Sequence, residues 1–511
     1  MHVLELPLKT TKYDNEQIDR RFHALSRVHN QLVSHARNLM NRLDQDREYQ
    51  NWREEYRRLS GKKKLSENDK ARKKELGALM SQRREDMGLT QAGFESYIKV
   101  YRSQFQKLLS SQQVQKEAAR VWKSVDSCLF GDGKQVHFKK YEQFSTIGGK
   151  SNQNGAKVSI GLDKNGSSVP VVQWLGLEME CALPKKEKEL AYVRESLDHT
   201  VKYCEIKRRQ FEDKWKYYAI LVLDGEAPQK LIPGKKDVGV DQGTSTMAAV
   251  SHGGCFLEEL APNAAKCEKE ITDLQRKMED SKRATNLDKY NEDGTVKKGN
   301  HGRWVYSSHY RHLRRRMRTL HRKKSEYTLH SHRAQCNRII RAGNVVITEK
   351  MDYRALARRS KKTERQEKAT EIRQKDGTVK TVRKYKKKKR FGHSIVSRSP
   401  ARFMSELKRK CLQYGGAFYE VDTVKYRASQ YDHVTGEYIK VPLSQRTKEV
   451  GGRVVQRDLY SGFLIMNTAD DLTHPDREKC IREFEWFVKA QDALIEEMKA
   501  SGRSMKHCFG F

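Results

Sequence analysis

The sequence predicts a mixed α/β fold joined to a β-barrel that carries a helical insertion. Three observations carry that expectation. Residues 2–8 alternate as a strand, and strand-like runs return between residues 134 and 224. Between them, an apolar residue recurs every three or four positions from Phe22 to about residue 127, the period of amphipathic helices. From residue 235 onward, short apolar strands alternate with long helices.

In chain order, the first strand leads into a helix whose apolar stripe is Phe22, Leu25, His29, Leu32, Ala36, Leu39 and Leu43. The helical pattern is interrupted by the polar run SGKKKLSENDKARKK. Beyond residue 127 the runs KQVHFKKY, AKVSIGLD and VKYCEIKRRQFEDKWKYYAILVLDG read as strands, with Glu212 and Asp213 at a hairpin turn. In QVHFKKYEQF, aromatic residues interleave with lysines, a pattern shared by half-buried strands and by surfaces that stack bases and contact phosphates. Pro233-Gly234 is a turn and the expected boundary.

The second half opens with KKDVGVDQGTSTMAAVS, two buried strands around a small-residue turn, with Asp241 ending the first. Helices are expected over 263–282 and 304–342, split by NEDGTV. The second stacks Leu313, Met317, Leu320 and Tyr327 on one side, while Arg311, Arg314, Arg315, Arg316, Arg318 and Arg322 cover much of the rest, suiting it to lie along phosphates. NVVITEKMDY is a strand ending in Glu349. Residues 354–390 carry 17 Lys plus Arg against 4 acids without an apolar period, and read as a mobile basic loop that includes Lys386, Lys387, Lys388 and Arg390. SPARFMSELKRKCLQYGGAFYEVD reads as a helix, a Gly-Gly stop and a strand. Asp458, in VVQRDLYSGFLIMN, precedes a short apolar helix.

The 511 residues hold 103 Lys plus Arg against 66 Asp plus Glu, a formal net charge of +37. Such a charge points to a polyanionic partner, because neutralising phosphates releases condensed counterions. No apolar run is long enough to span a bilayer, and the first residues lack the pattern of a secretory signal. Nine widely spaced Cys include no C-x-x-C pair, so reduced thiols and no structural zinc are expected. His321, His330 and His332 lie on the basic helix without carboxylate neighbours, a poor metal site.

Why a chain so basic holds a carboxylate at Asp241 is explained if Asp241, Glu349 and Asp458 converge. Any one of them alone would be an ordinary turn or cap. A strand–turn–strand with Asp, a helical stretch, a second strand ending in Glu and a third acid opening a helix together describe a ribonuclease H-like site. Carboxylates converging at strand ends repel one another and remain ionised when a divalent cation lies between them. Mg²⁺ (or Mn²⁺) suits all-oxygen ligands, and two such ions about 4 Å apart activate water and stabilise the leaving oxygen of a phosphodiester. Asp422, Asp470 and Asp471 are the substitutes for the third ligand; Asp422 reads as closing a strand, and Asp470 and Asp471 as opening the C-terminal helical region.

On these residues the sequence resembles the RuvC-type nucleases of the TnpB group and their relatives, the compact type V CRISPR effectors. GVDQGT is similar to the first RuvC motif, VVITEKMDY to the second and QRDLYSGFLI to the third, which assigns Asp241, Glu349 and Asp458 as catalytic metal ligands. DTVKYRASQYDHVTGE is similar to the segment that carries the first zinc-ribbon Cys pair, with Asp432 and Thr435 in the places of those Cys. Tyr460 stands where the third motif has Asn.

The resemblance implies a β-barrel (wedge-like) domain from 1–11 and 128–232, a helical recognition domain over 12–127, and a RuvC-like nuclease domain from 233–428 and 454–468. It further implies a degenerate zinc-ribbon-like insert at 429–453 and a C-terminal helical extension at 469–511. The implied activity is guide-RNA-directed cleavage of target DNA beside a short flanking motif, in the cytoplasm of a prokaryotic cell. The competing classes are a guide-dependent DNA binder that does not cut and a transposition-associated protein.

Overall fold

The computed structural model describes residues 1–62, 64–162, 166–212, 214–292, 294–300, 302–357, 369–373, 379–382, 391–442, 444–505 and 508–511. It divides into two compact units, Met1–Pro228 and Gln229–Phe511, the break falling just ahead of the Pro233-Gly234 turn. Among the described residues no helix is long and apolar enough to cross a membrane.

In the first unit, strand β1 (His2–Pro7) is followed by α1 (Lys12–Gln45), α2 (Arg47–Ser60), α3 (Glu67–Asp86), α4 (Gln91–Lys99) and α5 (Ser111–Phe130). A reciprocal capping box between Thr11 and Asp14 starts α1, satisfying N–H groups that the first turn leaves without partners. Its expected stripe from Phe22 to Leu43 is buried throughout. The polar run separates α2 from α3, and Ser66 caps the latter. Then come β2 (Thr146–Gly148), β3 (Ala156–Leu162), β4 (Ser168–Trp174), β5 (Leu177–Glu180), α6 (Glu187–Leu197), β6 (Val201–Phe211) and β7 (Lys214–Leu223). The turn between β6 and β7 holds Glu212 at φ 53°.

These strands form two antiparallel sheets, ordered β1-β7-β6-β2 and β3-β4-β5. The expected closed barrel is corrected to an open pair. Among the described residues a single bridge, Leu8 to Cys181, joins the two sheets, and no ladder links β2 to β3. The physical reason lies in KQVHFKKY, which was expected to be a strand. Its backbone is spent on α1 instead: Lys139 exchanges both backbone hydrogen bonds with the Asn30 amide (3.0 Å each), and Arg37 Nε donates to the Val136 carbonyl at 2.9 Å.

The second unit begins with β8 (Asp237–Gln242), β9 (Thr246–Ser251), β10 (Gly254–Glu259), α7 (Ala264–Thr285), α8 (Ser308–Ala342) and β11 (Val345–Glu349). It continues with α9 (Tyr353–Ala357), β12 (Thr370–Arg373), β13 (Val379–Val382), α10 (Gly392–Arg398), α11 (Pro400–Gln413), β14 (Ala417–Val421) and α12 (Thr423–Tyr426). The hairpin β15 (Thr447–Val450) and β16 (Arg453–Gln456) leads to α13 (Arg457–Met466) and α14 (Arg477–Ala500). Part of the expected basic loop is thus an antiparallel β12–β13 pair, built from short alternating runs that the charge-based reading passed over.

The main sheet has the order β10-β9-β8-β11-β14, with β8, β9 and β10 antiparallel and β11 and β14 parallel to β8. Strand alternation divides its side chains between two cores. Val238, Val240, Met247, Ala249 and Val346 pack with Ile339 and Ile340 of α8 and Phe403 and Leu407 of α11. Ala248 and Val250 pack on the other face with Leu459 and Phe463 of α13 and Phe487 of α14.

Candidate active site

Alternation also places the carboxylates. Val238 and Val240 face α8 and α11, so Gly239 and Asp241 face the side covered by α13. On β11, Ile347 joins a cluster with Ile465 of α13, and Glu349 lies two residues further along the same face. The parallel register pairs Ile347 with Gly239 and Thr348 with Val240, which sets Glu349 beside Asp241. α13 approaches β8 so closely that a Cβ on Gly239 would lie 2.0 Å from the Gly462 carbonyl oxygen and 2.2 Å from the Met466 nitrogen. Gly462 is i+4 from Asp458, so the face that touches the strand also carries Asp458 in the first helical turn.

Asp241 and Glu349 are half-buried, and neither makes an ion pair among the described residues. Burial raises the Asp241 carboxyl well above the ordinary aspartate range, and the charges of Asp458 and Glu349 push it further; Arg457 and Ser461 oppose this. Burial likewise raises Glu349, against a hydrogen bond from the Ala428 N–H to its Oε1 at 3.0 Å. Asp458 is held differently. Its Oδ1 accepts from Arg457 Nη2 (3.0 Å) and Nε (3.2 Å), and Arg446 Nη1 lies 3.7 Å from Oδ2. Accordingly, no three His, Cys, Asp or Glu side chains among the described residues are grouped closely enough to hold one ion in this arrangement.

No family model matches the chain, and no curated protein matches it. Among solved structures it is similar to Cas12f complexes. One is the cryo-EM structure of a Cas12f1–sgRNA–target DNA complex, with a TM-score of 0.44 and 11% identity over 89% of this chain and 83% of that one. Another is the cryo-EM structure of a CRISPR-Cas12f ternary complex, with a TM-score of 0.26 and 12% identity over 88% of this chain and 81% of that one. At such identity the functional reading rests on the residues of this chain.

Tyr460 is fully buried on the side of α13 away from the sheet. Its hydroxyl accepts from the His433 N–H (3.2 Å) and pairs with His433 Nδ1 (2.8 Å), and its ring packs among Phe463, Phe484 and Phe487. It joins the helix to α14 and the segment before β15. In that segment Asp432 Oδ1 accepts from the Val434 and Thr435 N–H groups (2.9 and 3.4 Å), closing a tight turn. Asp422 caps α12, and Asp470 and Asp471 lie in the turn ahead of α14.

The basic candidates separate by exposure. Arg311, Arg314 and Arg318 are exposed on α8, while Arg315 and Arg322 are half-buried. Arg316 pairs with Glu270 (3.0 Å) and Arg322 with Glu326 (2.7 Å). The apolar side of α8 meets α7 through Leu313, Leu320, Ile271 and Leu274. Lys386, Lys387, Lys388 and Arg390 lie outside the described residues. His332 is buried edge-on to Phe403, and burial lowers its pKa to about 4.

Three residues that the sequence reading missed lie beside these carboxylates. Arg446 reaches Asp458 from just before β15. Ser461, whose hydroxyl donates to the Arg457 carbonyl at 3.0 Å, is close enough to Asp241 to favour its ionised form. The Tyr353 hydroxyl is buried without a hydrogen-bond partner among the described residues, and both burial and the charge of Asp241 raise its pKa. Ser461 was legible as i+3 from Asp458; the other two come together only by tertiary packing.

Proposed function

We propose that this protein is an RNA-guided, Mg²⁺- or Mn²⁺-dependent DNA endonuclease with a single RuvC-like site at Asp241, Glu349 and Asp458. The observation that carries this reading is the pair of unneutralised carboxylates, Asp241 and Glu349, ending adjacent parallel strands beneath the helix that bears Asp458. The mixed five-stranded sheet fits the ribonuclease H-like core that the sequence resemblance implies.

Asp241 and Glu349 fit a hard divalent cation: both offer oxygen, both are partly desolvated, and neither has an ion-pair partner among the described residues. Asp241 and Glu349 would hold the metal, with Asp458 joining once released by Arg457 and Arg446. A metal bound there would supply Lewis-acid activation of water and stabilisation of the leaving oxygen. The two guanidiniums, once freed, are suited to the scissile strand's phosphates. The surface of α8 and the 386–390 run would contact the nucleic-acid backbone, and base pairing with the guide would supply sequence specificity. Residues 1–11 and 128–232 (wedge-like), with the helical block 12–127, would hold the guide RNA and the flanking duplex. Residues 429–453 and 469–511 would serve as the zinc-ribbon-like insert and helical extension. The setting is the prokaryotic cytoplasm, on nucleic acid.

One observation favours a guide-dependent binder that does not cut: Asp458 is paired with two arginines. A single experiment separates the readings. Co-purifying RNA is sequenced, and a matched DNA target is offered with Mg²⁺ to the wild type and to Asp241→Ala, Glu349→Ala and Asp458→Ala. The expected result is cleavage by the wild type alone, with target binding retained by all four proteins. Binding without cleavage by the wild type would establish the second reading, and cleavage by all three variants would overturn the site.

A further inference from the structure

The basic, aromatic segment that was expected to be a strand has a different use. Of the aromatic residues in QVHFKKYEQF, the structure buries Phe144 and stacks Tyr141 on His23 at 3.7 Å between ring centroids. Phe138 is left 51% exposed. The Arg37 guanidinium lies 4.6 Å from its ring centroid, and its Nε is fixed by the Val136 carbonyl. Phe130, at the end of α5, repeats the arrangement: it is 63% exposed, with Arg84 5.0 Å from the ring centroid and itself bonded to the Tyr49 hydroxyl at 3.0 Å.

A phenylalanine exposed to this degree costs apolar hydration, and this segment has two, each backed by an anchored cation. The backbone that carries Phe138 is clamped by the Asn30 amide, so the ring is presented on a held strap. Lys134, His137, Lys139 and Lys140 are exposed around it, against Asp132 and Glu142. Exposed rings beside exposed cations on a held backbone match unpaired nucleotides, whose bases stack while their phosphates need neutralising.

We propose that residues 130–140 form a stacking track for single-stranded RNA, with Phe130 and Phe138 as its two base-stacking stations. The choice of RNA rests on the guide-RNA reading given above.

The test uses the full-length protein and a short U-rich RNA carrying iodouridine, irradiated at high salt so that general phosphate attraction is screened. Photo-cross-links should map to Phe130 and Phe138, persist in Phe138→Tyr, and disappear at these positions in the Phe130→Leu/Phe138→Leu double variant. Affinity of that variant for the single strand should fall about tenfold or more, with binding of a duplex of the same composition unchanged. Cross-links confined to other segments, unaltered affinity in the double variant, or cross-linking only to the deoxy analogue would each overturn the track. RNA that co-purifies with the wild type while Phe130 and Phe138 fail to cross-link would overturn the track alone, and absence of co-purifying RNA would overturn the guide-RNA reading.

Discussion

Glu117 in the first unit and Asp241 in the second are both withdrawn from water, yet among the described residues only Glu117 has an ion-pair partner. Glu117 accepts from His29 Nδ1 at 2.7 Å and from Arg120 Nη1 at 3.1 Å. Burial alone would raise its pKa; His29 and Arg120 outweigh that and hold it below the ordinary glutamate range. The same unit buries Arg208 between the rings of Phe22, Tyr141 and Trp215 and gives its guanidinium the Phe144 carbonyl at 2.7 Å. In the second unit Asp241 and Glu349 are pushed upward with no ion-pair partner among the described residues. The partnered charge of Glu117 serves architecture, whereas burial lowers the pKa of Arg208 to about 10. Unsatisfied charge in the second unit is a standing destabilisation that a ligand of opposite sign would relieve.

The largest way to break this contrast is Glu117→Ala, which leaves His29 and Arg120 facing an emptied, buried position. It should cost about 3–5 kcal/mol of unfolding free energy in a urea titration. Gly239→Ala comes next. The new Cβ would meet backbone atoms of α13, which have no rotamer to yield, so α13 must move off β8. A loss of about 1–3 kcal/mol is expected, with cleavage lost because Asp458 moves with its helix.

Asp241→Asn should act in the opposite direction, raising Tm by about 2–4 °C in the absence of divalent cations, the equivalent of ~1 kcal/mol for a unit of this size. The pH dependence has a definite sign. The folded-state pKa of Asp241 lies above its unfolded value, so the associated stability is complete below about pH 4 and is lost as pH rises through the folded pKa. Glu349 adds in the same direction. Melting curves across that window should fall less steeply for Asp241→Asn than for the wild type. The smallest effect is expected from Arg446→Gln, which removes the longer of the two contacts on Asp458. The pair is partly buried but long, at 3.7 Å, so Mn²⁺ affinity measured by calorimetry should improve by roughly two- to fivefold, the equivalent of about 0.2–1 kcal/mol.

The two units also differ in how far their sequences disclose them. In the second, Asp241 and Glu349 could be placed because each ends an apolar run whose alternation fixes its face, and Asp458 because it opens a helix. The arginines on Asp458 were hidden in part: Arg457 is adjacent in sequence, but Arg446 arrives through a hairpin that long-range packing positions. Tyr460, which stands where the third motif has Asn, makes the contact with His433 and α14. In the first unit, the stripe of α1 was legible from its period, whereas KQVHFKKY was not. Its alternation suits a strand and a strap equally, and the deciding partner, Asn30, lies 109 residues away in the chain. The barrel reading failed for the same reason, since that segment was to have been one of its strands.

The second unit's carboxylates should be short of a cation when no divalent ion is bound. Melting of the wild type and of Asp241→Asn/Glu349→Gln at neutral pH, each with and without Mg²⁺, tests this directly. The expected result is a low wild-type Tm that rises with Mg²⁺, and a double-variant Tm that starts higher and does not respond. A wild type indifferent to Mg²⁺, or a double variant that responds as strongly as the wild type, would contradict it.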